Sequence, residues 1–236
     1  MKAEIKNKDE VAKETLKIDF DLLGNTISFK PGQFFNIDLV DPPYDDEKGP
    51  HRHFSIVNSP NEDGIITMVT RLRDTAFKKS LEEMPPGSAV EIGKIGGEDF
   101  TLPEETGRPL VFIAGGIGIA PFISMIRYVM EEGLAYDITL LYSNRKAESA
   151  AFLDELKERA AGNVNLELIL IMTDDPSWEG ETRRIDEELL VDYLENPQSR
   201  TYLIAGPPGM NKEVSTEIEK LGVDKDYIKT SNFAGY

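Results

Sequence analysis

Cysteine is absent from this sequence. That excludes structural disulfides, cysteine-ligated zinc, cysteine nucleophiles and any iron–sulfur cluster held by this chain, so redox chemistry here needs an organic cofactor. No apolar run approaches the roughly 18–20 residues that a bilayer crossing requires. The N-terminal MKAEIKNKDE is charged from its second residue, and a cytoplasmic protein with no membrane span is the expectation. Positive charge is also scarce: 26 Lys and Arg stand against 43 Asp and Glu, a net charge of −17. Such a field repels nucleic acid and anionic lipid, so no nucleic-acid partner is expected. One stretch runs against this balance. Arg71, Arg73, Lys78 and Lys79 share Arg71 to Lys79 with the single acid Asp74, which reads either as a solvated face or as a phosphate or acidic-partner site. No internal repeat or low-complexity segment is present, and no metal site stands among the candidates.

What is there falls into two rhythms. A chain of 236 residues exceeds the common size of one domain, and two domains, each with its own core, are expected. Up to about residue 102 the runs are short and β-rich: Thr15 to Phe20, Phe34 to Val40, His53 to Val57, Ile65 to Leu72 and Ala89 to Ile92. Turn signals such as Lys-Pro-Gly at 30–32 and Pro-Pro-Gly at 85–87 separate them, as in an antiparallel barrel or sandwich. One helix interrupts this half, from Asp74 to about Met84, capped by Asp74 or Thr75. From Pro109 onward, continuous apolar strands alternate with helices, which implies a doubly wound parallel sheet covered on both faces. The boundary is expected in the turn from Pro103 to Arg108.

The strongest single signal is LVFIAGGIGIAPF at 110–122, a strand that runs into a Gly-x-Gly-x-x-Pro turn and then a helix. Gly116 and Gly118 there allow backbone amides to approach a pyrophosphate, and the helix start, with Pro121 in its first turn, adds partial positive charge. An ordinary tight strand-to-helix turn is the competing reading, and the strand and helix context favours nucleotide binding. In such a sheet, ligands sit at the carboxyl ends of the strands. Ser143-Asn144-Arg145, Thr173-Asp174-Asp175 and Gly206-Pro207-Pro208-Gly209-Met210 should therefore line one crevice. Arg145 reads equally as a ribose or 2′-phosphate contact and as a solvated loop arginine, and the Gly-Pro-Pro segment has its own alternative, a rigid turn with no ligand. In the first half, HRHFSIVNSP at 51–60 places Arg52 and Phe54 on one strand face by the period of two, with Ser55 beside them. Arginine can clamp a phosphate and an aromatic can stack on a planar ring. Taken alone, this is first a mixed polar and apolar strand.

Arg-x-Phe-Ser in a barrel, then Gly-Gly-Ile-Gly-Ile-Ala-Pro, then Gly-Pro-Pro-Gly-Met, in that order, resemble the ferredoxin–NADP reductase superfamily. The resemblance covers nearly the whole chain, and Pro31-Gly32-Gln33-Phe34 matches an early strand motif of the family. It implies an antiparallel flavin-binding β-barrel over 1–104 and a doubly wound NAD(P)-binding α/β domain over 105–236. Carried over residue by residue, Arg52 holds the flavin pyrophosphate, Phe54 stacks on the isoalloxazine, and Ser55 bonds near the hydride-accepting nitrogen. Phe54 and Ser55 are thus the catalytic candidates, with His53 a neighbour in the same cofactor site. Phe54 stands where tyrosine is commonest. Val69, Thr70 and Arg71 resemble the segment that contacts the flavin tail. Thr75, Ala76, Phe77 and Lys78 occupy the place of the family's Gly-x-x-Ser, at a helix start that can face the pyrophosphate. Gly115, Gly116, Gly118 and Pro121 carry over to the dinucleotide pyrophosphate, Ser143 and Arg145 to its adenosine ribose, and Gly206, Pro207, Pro208 and Met210 to the border of the nicotinamide. Ala205 stands where many members have cysteine. Phe233 and Tyr236 resemble an aromatic tail that some members lay against the flavin, and a frayed terminus is the alternative.

The function this implies is a flavoprotein oxidoreductase that moves hydride between NAD(P)H and bound FAD, with FMN as the alternative cofactor, and passes electrons to a separate acceptor such as a ferredoxin, a flavodoxin or another redox protein. Two other classes stand beside it: an NAD(P)H:flavin reductase with a diffusing flavin, and a non-catalytic nucleotide-sensing flavoprotein subunit. His51 and His53 read as ordinary strand and loop histidines rather than bases. No acidic residue ends the second strand of the α/β half, and Ser143 with Arg145 leans toward NADPH, with Arg183 or Arg184 as a second cation if their loop folds back.

Overall fold

The computed structural model describes residues 1–104 and 107–233. The described residues separate into two compact units, one of Met1–Leu102 with Ala120–Glu132, the other of Pro103–Ile119 with 133–233.

The first unit is a six-stranded antiparallel barrel. Its strands are β1 (Lys2–Ala12), β2 (Thr15–Asp21), β3 (Phe34–Leu39), β4 (His51–Ser55), β5 (Ile65–Arg71) and β6 (Ala89–Gly96), with helix α1 (Ala76–Glu83) between the last two. They lie in the order β4-β3-β6-β1-β2-β5. The Val57 amide donates to the Thr67 carbonyl at 2.9 Å, drawing the segment after edge strand β4 onto edge strand β5. Alternation sets the interior. Ile18 and Phe20 of β2, Phe35 and Ile37 of β3, Ile66 and Met68 of β5, and Val90 and Ile92 of β6 all point into one core with Phe54, Phe77 and Leu81, as period-two strands with one buried face require. Strand β1 lies outside the sequence expectation, which placed no strand before Thr15. Only Ala3 and Ile5 of β1 are fully buried and the rest is largely charged and exposed, so alternation has two positions to show. Pairing with β2, from Glu4 opposite Asp21 to Ala12 opposite Thr15, makes it a strand.

Helix α2 (Ala120–Glu131) groups with the barrel unit, although the sequence rhythm reads it with the second half. The Ser124 hydroxyl donates to the Asn58 carbonyl at 2.8 Å, and Phe122 lies 5.8 Å from Phe100, ring to ring. Gly32, at φ +99°, leaves room for the Phe100 carbonyl and the Met125 methyl, which a Cβ there would strike.

The second unit is built on a five-stranded parallel sheet. Its elements are β7 (Leu110–Gly115), β8 (Ile138–Asn144), α3 (Leu153–Ala161), β9 (Leu166–Met172), α4 (Glu187–Tyr193), β10 (Thr201–Gly206), α5 (Pro208–Lys220) and β11 (Ile228–Asn232). Every residue of β7 and β10 is buried, as expected of strands in the middle of a parallel sheet covered on both faces. The order β11-β10-β7-β8-β9 places the topological switch between β7 and β10, and in open α/β sheets ligands bind at such a point, at the carboxyl ends of the strands. Strand β11 was not expected from its sequence. Only five residues long and without a fully buried position, it is fixed by pairing with β10, from Ile228 opposite Tyr202 to Asn232 opposite Gly206.

Candidate functional site

In the barrel unit, β4 and the start of α1 bring Arg52, Phe54 and Phe77 together. The Arg52 guanidinium lies 5.0 Å from the centre of the Phe77 ring, and the Phe54 ring stacks on Phe77 at 5.9 Å and 28°. Arg52 and Phe54 therefore do share a face. Arg52 also donates to the carbonyls of Lys48 at 3.1 Å and Gly49 at 3.0 Å, which folds the β3–β4 loop around it, with Asp46 at 3.9 Å. Phe54 lies in the barrel interior. The residue is 3 % exposed and belongs to the barrel core, packed against Phe77. Val69 and Thr70 are likewise enclosed, leaving half-buried Arg71 and the backbone to reach outward. His53 is exposed and sits 5.3 Å from the Phe34 ring, Ser55 is half-buried, and His51 pairs with Asp38 at 3.0 Å.

Four cations meet at the helix start. Thr75 caps α1, its hydroxyl accepting the Lys78 amide at 3.4 Å, and Ala76 and Phe77 lead the first turn. Lys78 is buried, and its ammonium is pushed down to about 8, first by desolvation and then by the neighbouring charges of Arg73, Arg52 and Arg71. Like charges this close, around a desolvated ammonium, are stabilised by a bound anion. The donor set, guanidinium groups and an ammonium beside a helix N-terminus, fits a pyrophosphate.

In the second unit, the switch point is paved with small residues. A Cβ on Gly115 would strike the Met210 sulfur and come within 3.2 Å of Pro207 Cδ; one on Gly206 would lie 3.1 Å from that sulfur and 3.3 Å from Gly115 Cα. Gly116 adopts φ +56° and opens a 3-10 turn through Ile119, followed by Pro121 as the buried second residue of α2. Gly118 has a structural reason of its own: a Cβ there would drive into the Ala205 carbonyl, 2.5 Å from its carbon and 2.9 Å from the Gly206 nitrogen. Pro207 and Pro208 are not a free turn but the cap and first residue of α5. The loops after β8 and β9 are laced together, the Thr173 amide donating to Asn144 and the Asp174 amide to Arg145, each at 2.9 Å. Ser143 is half-buried and Arg145 exposed. Asp175 accepts from the Ser177 hydroxyl at 2.7 Å and the Ala147 amide at 3.0 Å, bonds that hold its carboxyl below the usual range.

Of the two arginines that the sequence offers as a second cation, Arg184 is exposed and Arg183 is engaged by its own loop and α4. It is tied to Glu181 and Asp192, each at 2.8 Å, and its bonds to Glu181 take that carboxyl down to about 2. Glu181 itself continues the sheet beside β9, its carbonyl accepting the Met172 amide at 2.9 Å. Sequence reasoning also passed over Asn211, a buried residue in the first turn of α5; a lone asparagine after Gly-Pro-Pro-Gly-Met carries no spacing signal. Phe233 lies beside Gly206, its amide donating to the Gly206 carbonyl at 3.0 Å. Tyr236 lies outside the described residues. Among the described residues no group of three or more His, Asp or Glu is placed to hold a metal ion, and no helix is long and apolar enough to cross a membrane.

Residues 112–216 match the family model described as the oxidoreductase NAD-binding domain. The chain is 30 % identical to the gamma subunit of sulfhydrogenase 1 from Pyrococcus furiosus over 85 % of this chain and 67 % of that protein. It is also 30 % identical to one component of the Na(+)-translocating NADH-quinone reductase from Methylococcus capsulatus, over 78 % of this chain and 49 % of that protein, so it spans about half the length of that relative. Among solved structures, a ferredoxin NADP+ reductase from Neisseria gonorrhoeae with bound FAD and NADP superposes with a TM-score of 0.83 at 21 % identity, covering 98 % of each chain. The FAD/NAD-binding domain of nitric oxide dioxygenase from Vibrio cholerae gives 0.85 at 18 % identity, also with 98 % coverage of each; likeness at these identities speaks to the fold. The chain belongs to the ferredoxin–NADP reductase superfamily of flavoprotein oxidoreductases.

Proposed function

We propose that this chain binds FAD on its barrel (1–104) and a nicotinamide dinucleotide on its α/β half (105–236), and delivers the electrons to a separate acceptor. The observation that carries the reading is the convergence of Arg52, Arg71, Arg73 and Lys78 at the start of α1, where burial first and the neighbouring charges second push the Lys78 ammonium down to about 8. FAD, when bound, takes two electrons as hydride from a nicotinamide and can release them singly. The chain's own part is binding and orientation: the cation cluster holds the pyrophosphate, Ser55 offers a hydroxyl to the isoalloxazine near its hydride-accepting nitrogen, and the glycine-paved end of β7 and β10 admits the dinucleotide. Arg145 and Arg184 stand as the candidate contacts for a 2′-phosphate, Arg183 being paired with Glu181 and Asp192, and NADH is the favoured coenzyme on the printed name of the NADH-quinone reductase relative. The relatives named above are components of larger enzymes, so the acceptor is read as a centre on another chain; lacking cysteine, this one holds no cysteine-ligated iron–sulfur cluster.

One rival has an observation in its favour. The closed Phe54–Phe77 pair suits a flavin that binds loosely and leaves as a substrate. The visible spectrum of the purified chain, before and after anaerobic NADH or NADPH, tests both. The proposal expects a yellow protein bleached faster by NADH. A colourless protein that reduces added flavin establishes the rival, and a yellow protein that neither coenzyme bleaches leaves only a sensing role.

A further inference from the structure

Asn211 occupies the first turn of α5 and is 3 % exposed. Its side-chain nitrogen donates to the Ser231 carbonyl at 2.8 Å and to Asn232 Oδ1 at 2.9 Å, so one buried amide grips the last two residues of β11. The next residue, Phe233, continues the parallel pairing by donating its amide to the Gly206 carbonyl. That bond sets Phe233 at the carboxyl end of β10, beside the surface that Gly115, Gly206 and Met210 form at the switch point. An exposed five-residue edge strand with no fully buried side chain has little hydrophobic burial to hold its end in register. The polar grip of Asn211 supplies what burial does not.

We infer that Asn211 is a positioning residue for nicotinamide binding: it latches the end of β11 so that Phe233 forms a fixed aromatic wall beside the Gly206–Met210 turn. The inference rests on the reading of that turn as the nicotinamide border. Asn211 does not touch the coenzyme in this account; it acts through Phe233. An aromatic side chain held in place offers its contact without first being ordered, whereas a loose one loses entropy on binding and weakens the complex. The latch assigns Phe233 to the coenzyme side, beside Gly206, in place of the flavin contact that the family resemblance implies, so the loss falls on coenzyme binding, and loss of flavin from Phe233→Ala overturns the assignment.

The test is steady-state oxidation of NADH by the full chain with a small artificial acceptor, for the wild type, Asn211→Leu, Phe233→Ala and the double variant. Asn211→Leu keeps the volume and removes both bonds. It should raise KM for NADH about threefold to tenfold, the scale of one aromatic contact, with kcat within about twofold of the wild type and flavin content unchanged. Phe233→Ala should do the same, and the double variant should be no worse than either single one, because both remove the same wall. Additive effects, or an unchanged KM in Asn211→Leu, overturn the latch. Should Asn211→Leu fail to fold, Asn232→Ala removes the side-chain half of the grip and carries the same expectation at smaller size. A wild-type chain that oxidises neither NADH nor NADPH overturns the proposed function itself, an outcome distinct from a working enzyme that is indifferent to Asn211.

Discussion

The ammonium of Lys78 lies among Arg52, Arg71 and Arg73, largely out of water, and both burial and like charge press it to release its proton. With a folded value near 8 against 10.5 for the ordinary group, the unfolded chain binds the proton more readily between those limits. This site therefore opposes folding below about pH 8, and the opposition fades as pH rises from there toward 10.5. A bound pyrophosphate reverses the sign, because it stabilises the ammonium. Two consequences follow for Lys78→Met, which keeps the stem and drops the charge. The flavin-free protein should melt higher at pH 7, by about 2–4 °C for each kcal/mol relieved in a chain of this length. The same variant should retain less flavin through gel filtration. A lower melting temperature together with full flavin content would show that Lys78 is a packing residue with no anion to meet.

At the scale of elements, the turn after β7 separates two reasons for glycine that look alike in sequence. Gly118 reads as a place where a dinucleotide approaches the backbone, yet an added Cβ there meets the Ala205 carbonyl and the Gly206 nitrogen, both main-chain atoms that no rotamer change can move. Gly118→Ala should destabilise the parallel-sheet unit by about 1–3 kcal/mol or more, visible as a lower urea midpoint with no coenzyme present. An unaltered midpoint would return Gly118 to a purely ligand-facing role. What the sequence made legible was where residue type forces local geometry: the glycine turn, the Thr75 cap, the apolar strands β7, β8 and β10, and the shared face of Arg52 and Phe54. Strands β1 and β11 were not legible, since their order comes from partners and not from an inward-facing pattern. The burial of Phe54 was hidden for a related reason. Alternation says which face a side chain takes but not that Phe77, on an element twenty-odd residues later, closes over it.

Over the whole molecule the charge of −17 competes with the local basic stretch from Arg71 to Lys79 in choosing an electron acceptor. Locally, Lys79 is already paired with Asp74 at 2.7 Å, and the cluster of Arg52, Arg71 and Lys78 is offset once a pyrophosphate sits in it. Beyond a Debye length, about 10 Å at 0.1 M salt, an approaching protein responds to the net charge more than to what remains of that patch. The field of the molecule should therefore draw cationic acceptors and repel anionic ones. With NADH saturating, reduction of a cationic haem protein should fall about tenfold as NaCl is raised from roughly 10 mM to 200 mM, within the range that electrostatic steering commands. Reduction of ferricyanide should rise over the same interval, since salt screens the repulsion. The opposite pair of slopes, ferricyanide fastest at low salt and the cationic acceptor indifferent to it, would mean that the Arg71 to Lys79 face governs docking despite the net charge. The natural acceptor would then be sought among acidic proteins.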